Sequence, residues 1–130
     1  MTKKITLALL AALFASLSLP LLAAGPGQVQ KGIASYYHDS LHGNKTASGQ
    51  IYNKNKMSAA HKSLPLGSKV RVTDVRTGKS IVVRVNDRGP FVKGRIIDLS
   101  RRAATKLGLI KRGITPVKVE VLSVPGRRGA

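Results

Sequence analysis

The stretch VNDRGPF, residues 85–91, places a carboxylate, an arginine and a tight turn at the end of a run of alternating valines. Such a carboxylate can shape its own turn, because Asx side chains bond nearby backbone N–H groups. It can also carry a proton to and from a substrate. The other acids narrow the choice for Asp87. Only Asp39, Asp74, Asp98 and Glu120 accompany it, against 23 lysines and arginines. Asp39 sits in the loop HDSLHG, and Glu120 points outward from a strand of alternating valines. Asp74 follows a strand beside a hairpin turn, where solvation or turn capping is the default role. Asp98 precedes Ser100, where negative charge favours a helix N-terminus. Asp87 is the acid with the least structural reason beyond its turn. His61, in SAAHKSLPLG, is the second candidate; it can pack in the core, bind a sugar or polarise a carboxylate, and a lone histidine most often packs.

Cofactor chemistry finds no support. No Gly-rich loop has the spacing that cradles phosphate, and His38, His42 and His61 have no cysteine to join them. His38 and His42 are four apart, a helical metal spacing, but Gly43 and Asn44 follow at once and make the segment a loop. We therefore expect neither cofactor nor metal. Glycoside hydrolysis by two opposed carboxylates is also poorly served by five acids so distributed.

The formal net charge of +18 makes the surface an attractor for polyanions. Nucleic acid is not the expected partner: Tyr36, Tyr37, Tyr52 and Phe91 are the only aromatic side chains outside the leader that can stack on bases. The leader itself, residues 1–24, has the plan of a secretory signal, with Lys3 and Lys4, an apolar stretch and then Ala23 and Ala24. An uncleaved membrane anchor is the competing reading, which Ser16, Ser18 and Pro20 weaken. An exported protein, periplasmic or secreted, is expected. It has no cysteine for a disulfide or a lipid anchor, so core packing must hold it together. Outside the cytoplasm the available polyanions are the cell wall and lipid headgroup surfaces, approached by attraction that salt screens.

The elements that must position these residues are short. After a tether at 25–31, the folded unit is expected to span 32–122, with a basic tail at 123–130. Val70 and Val72, then Ile81, Val83 and Val85, then Val117, Val119 and Val121 alternate with polar residues, the mark of half-buried strands. Gly78 in VRTGKS joins the first two segments into a hairpin over 69–86. GIASYY (32–37) and GRIID (94–98) are further strand candidates. Ser100 as N-cap, Ala103, Ala104 and Leu107 at helical spacing, and Gly108 as stop predict one short helix. Many short strands with one helix predict an all-β fold, a compact β-barrel acting as a monomer.

The blocks GIASYY, HGNKTASGQIYN, MSAAHKSLPLGSKVRV, IVVRVNDRGPF and GRIIDLSRRAATKLG occur in an order that resembles the rare lipoprotein A (RlpA) family of septal ring lytic transglycosylases. The resemblance covers 32 to about 122. It implies a six-stranded double-psi β-barrel related to the barwin and expansin barrels, acting on the glycan strands of peptidoglycan, with cell-division proteins as further partners. It also implies Asp87 as the catalytic acid and then base, with His61 beside it. Thr46, Ser48, Gln50, Tyr52 and Asn53 of the TASG segment, together with Asn86 and Arg88, would line the groove. Arg88 is expected to turn from the carboxyl onto backbone carbonyls, and Tyr36, Tyr37 and Tyr52 to offer flat faces to sugar rings or to the core. Where the family usually has glutamate and often aspartate, this chain has Gln50 and Asn53, which keep hydrogen bonding but lose charge. That departure keeps a non-catalytic, expansin-like wall-binding barrel as the alternative.

Overall fold

The computed structural model describes residues 25–126; the leader read as a signal and the last four residues lie outside the described residues. Six strands, β1 (Val29–Tyr36), β2 (Ser58–His61), β3 (Lys69–Asp74), β4 (Ser80–Asp87), β5 (Arg95–Leu99) and β6 (Thr115–Ser123), close into a barrel in the order β1-β5-β2-β4-β3-β6. β1 runs parallel to β5 and β2 parallel to β4, while the remaining neighbours are antiparallel. Closure leaves no open sheet edge.

The alternating valines explain the interior. Val70, Val72, Val83, Val85, Val117, Val119 and Val121 are all buried, and each contributes about 1.5–3 kcal/mol against its exposed state. Ile81 packs partly against them. The expected hairpin is β3–β4, paired from Lys69 with Arg84 to Thr73 with Ser80, and Gly78 turns with φ 78°. The expected helix is α1 (Arg101–Leu107). Ser100 caps it by accepting the Ala103 N–H, and Gly108 ends it in the left-handed region. Ala103, Ala104 and Leu107 close one end of the core.

Three details differ from the sequence expectations. β1 begins at Val29, so three residues read as tether pair with β6. SAAH forms β2, an unanticipated strand between β5 and β4; it is buried at every position, so it has no alternation to read. Asp74 does cap its turn through the Arg76 N–H, but it is not solvated. It is fully buried and accepts hydrogen bonds from Arg112 Nη2 at 2.5 Å, the Arg76 N–H at 2.9 Å and Thr115 Oγ1 at 3.1 Å. Burial alone would raise its pKa, but these donors, Arg112 foremost, outweigh that and hold the carboxyl below the usual carboxylate range.

Candidate active site

A single row of residues crosses four neighbouring strands. Ser35 on β1 lies opposite Asp98 on β5, Asp98 opposite Ala60 on β2, and Ala60 opposite Asp87 on β4. The β2–β4 register shifts between Ala59 and Ala60, so that Ala60 faces Asp87 rather than Asn86. The small Ala60 leaves room between the two carboxylates. The resulting cavity of about 420 Å³ is lined by Asp87, Asp98, Ala60, Tyr37 and Arg95, with Phe91 and Val92 along its wall.

Asp87 is held by three donors. Oδ1 accepts the N–H of Ala47 at 2.8 Å and that of Arg88 at 2.9 Å, and Oδ2 accepts the hydroxyl of Tyr37 at 2.5 Å. The Arg88 guanidinium turns away, as expected, and donates to the carbonyls of His61 (3.1 Å) and Leu64 (2.7 Å). The other acids are all ion-paired: Asp39 with Arg101, Asp74 with Arg112, Asp98 with Arg95, and Glu120 with Arg71. Among the described residues, Asp87 is the one acid without a cationic side chain in ion-pair range. Asp98 is thus not a helix-terminal charge. Its Oδ1 is taken by Arg95 Nη2 at 2.8 Å and by the Ser35 hydroxyl, because β5 aims it along the row into the cavity.

His61 is 3% exposed, and its ring makes no hydrogen bond to Asp87. Nδ1 accepts the N–H groups of Ser63 and Leu64, so Nε2 carries the proton and donates to Gln30 Oε1 at 2.8 Å. Burial first, then the positive charges of Arg88 and Lys62, pull its pKa down to about 4. A neutral His61 therefore folds the 61–64 loop, whose carbonyls hold Arg88.

Tyr37 and Tyr52, 8% and 1% exposed, stack on each other with centroids 4.2 Å apart and offer no open face to a sugar. Tyr52 Oη accepts the Arg101 N–H at the start of α1. The TASGQ loop closes on itself: Thr46 Oγ1 donates to the Gln50 carbonyl at 2.7 Å, and Ser48 Oγ accepts the Gln50 N–H. Gln50 Oε1 accepts from Asn86 Nδ2 at 3.2 Å. Both line a separate depression of about 560 Å³ with Tyr52 and Asn53. Asn53 caps a local turn through the Asn55 N–H. His38 and His42 likewise accept local N–H groups, from Ser40 and Lys54.

One contact and one residue of the site escaped sequence reasoning, which gave Tyr37 to sugar stacking or the core and left Phe91 without a site role. Tyr37 reaches Asp87 across 50 positions of chain, which no local spacing signals. Phe91 is 80% exposed on the wall of the Asp87 cavity, and a large apolar ring directly after the Asp-Arg-Gly-Pro turn is the signal that could have found it.

Comparison with known proteins bears on the family and the fold. A family model described as lytic transglycolase matches residues 29–119. The chain is 58% identical over 98 residues to the endolytic peptidoglycan transglycosylase RlpA of Pasteurella multocida, covering 75% of this chain and 33% of that protein. It is 53% identical over 98 residues to the RlpA of Neisseria meningitidis serogroup A, covering 75% and 41%. The chain thus spans well under half the length of these relatives. Among solved structures, Streptomyces papain inhibitor superposes with a TM-score of 0.62 at 26% identity, covering 74% of this chain and 96% of that one. The Clavibacter michiganensis expansin superposes with a TM-score of 0.59 at 24% identity, covering 77% and 53%. With a closed six-stranded barrel of the double-psi type and a family model matched along most of its length, the chain belongs to the lytic transglycolase family that includes the RlpA proteins.

Proposed function

We propose that this domain cleaves the glycan strands of peptidoglycan by lytic transglycosylation, with Asp87 as general acid and then general base. The observation that carries this reading is the state of Asp87. In a chain with 23 lysines and arginines, it is the acid that lines a cavity with no cation paired to it. Two backbone N–H groups and a buried phenol fix its carboxyl, while Arg88 is spent on carbonyls.

One carboxyl suffices for this reaction. Protonated Asp87 gives its proton to the glycosidic oxygen as the C1–O bond breaks and its electron pair passes to the departing sugar. The resulting carboxylate then takes the proton of the 6-hydroxyl, whose oxygen bonds to C1 and closes a 1,6-anhydro ring. No water is consumed, and Asp87 ends protonated as it began. Phe91, Leu41 and Val92 give the cavity wall exposed apolar surface on which a pyranose face can rest. His61 acts at one remove, by shaping the loop that holds Arg88. The positive surface draws the domain to an anionic wall, an attraction that salt weakens.

A second reading, a glycan-binding barrel that does not cut, rests on Gln50. It brings an uncharged amide to the depression beside Asn86 where the family usually has a carboxylate. Purified protein incubated with sacculi decides between them, with released fragments examined by mass spectrometry for 1,6-anhydro ends. Anhydro ends that fall about 10²–10⁴-fold in Asp87→Asn support the enzyme. Sacculus binding without such ends in wild type selects the binder. Gln50→Glu measures what the missing charge costs.

A further inference from the structure

The geometry points to Tyr37 as a positioning residue for Asp87: its hydroxyl holds the carboxyl so that Oδ2 alone exchanges protons with the glycan. The inference rests on the lytic reading above, and it starts from the oxygens of one carboxyl. Oδ1 accepts two backbone N–H groups, from Ala47 and Arg88, which occupy both of its lone pairs. Oδ2 accepts one hydrogen bond, from Tyr37 Oη, and keeps one lone pair. That open position is where a proton can be carried toward the glycosidic oxygen and received from the 6-hydroxyl.

Tyr37 is suited to this role because it is itself immobilised. Its ring lies on Tyr52 with planes 10° apart, and Tyr52 Oη is tied to the Arg101 N–H at the first turn of α1. The chain of support runs from helix backbone to Tyr52 to Tyr37 to Asp87. Burial first, then the hydrogen bond to and the charge of Asp87, push the Tyr37 phenol far above its ordinary ionisation range, with Asp98 adding a smaller charge effect in the same direction. The phenol therefore stays a donor through both steps and neither gains nor loses a proton. Asp98 lines the same cavity but is held by Arg95 and Ser35.

Tyr37→Phe removes the hydroxyl and keeps the ring that stacks on Tyr52. With soluble glycan strands as substrate, kcat is expected to fall about 10- to 100-fold, the loss of one hydrogen bond to a charged group, while KM changes less than about twofold. The pH of maximal rate is expected to move, which a merely structural role would not cause. A Tyr37→Phe enzyme with wild-type kcat and pH profile overturns the inference. A second arm does not depend on cleavage. The wild type should show a slowly exchanging, downfield hydroxyl proton by NMR that vanishes in both Tyr37→Phe and Asp87→Ala. Its absence from the wild type, or its survival in Asp87→Ala, overturns the pairing. Should the wild type release no anhydro ends, the lytic reading fails and the NMR arm decides Tyr37 alone.

Discussion

Acidification is expected to destabilise this domain through His61. The ring is buried, and Nδ1 must remain unprotonated to accept the N–H groups of Ser63 and Leu64. Its folded pKa is about 4, against the ordinary value of 6.5 that the unfolded chain regains. The unfolded state therefore binds the proton first as pH falls, so stability is whole above pH 6.5 and drains away toward pH 4. At 1.36 kcal/mol per pH unit, the loss by pH 4 comes to about 3 kcal/mol. For a domain of this size that lowers the melting midpoint by roughly 10–20 °C. Urea unfolding at about pH 7 and about pH 4 reads the difference directly in the wild type and in His61→Gln. The variant is less stable at both pH values but loses the drop between them. An equal drop in both proteins would refute the assignment of the acid sensitivity to His61. Because the 61–64 loop carries the carbonyls that hold Arg88, protonation of His61 also loosens the support behind the Asp87 turn.

Other expectations follow from buried contacts. Asp74→Ala strands Arg112 and should cost about 3–5 kcal/mol in denaturant unfolding. Because the Asp74 carboxyl titrates below its ordinary 3.8, its contribution is complete above that value and is lost as pH falls through the lower folded one. Acid unfolding below about pH 4 should accordingly be steeper in wild type than in Asp74→Asn. Gly32→Ala places a Cβ 2.6 Å from Ile96 Cγ2 and should destabilise by about 1–3 kcal/mol, part of which Ile96→Ala in the same chain recovers on thermal melting. Arg88→Met removes two hydrogen bonds to carbonyls, at a cost of about 1–3 kcal/mol. It also removes a charge that depresses His61, so the His61 titration followed by NMR should rise toward 6.5.

The strands that alternate and the helix that carries its own caps were legible because their signals are local. Val70 and Val72, or Ser100 with Gly108, state their structure within a few residues. β2 was not legible, since a strand buried on every side has no period. The fates of the acids divide along the same line. Glu120 points outward and pairs with its strand neighbour, as alternation implies. Asp74 caps its turn through the Arg76 N–H as its position suggested, but its burial against Arg112, 38 positions away, was not legible, nor was the Ser35 hydroxyl that reaches Asp98 across 63 positions. Gln50, Asn53 and Thr46 were picked out by family resemblance, yet their side chains serve a loop, a turn and a second depression rather than Asp87 itself.

By itself the sequence determined an all-β barrel with one capped helix and singled out Asp87 from five acids, because patterning, capping and composition are properties of short stretches of chain. Only the tertiary structure decided what surrounds that acid. Barrel closure and the shifted β2–β4 register bring Tyr37, Ala47 and Asp98 to Asp87 from distant positions, and the neutral His61 loop draws Arg88 away from it. Hydrogen-bond partners across a barrel depend on register and strand order, and neither is written in the local period of any one strand.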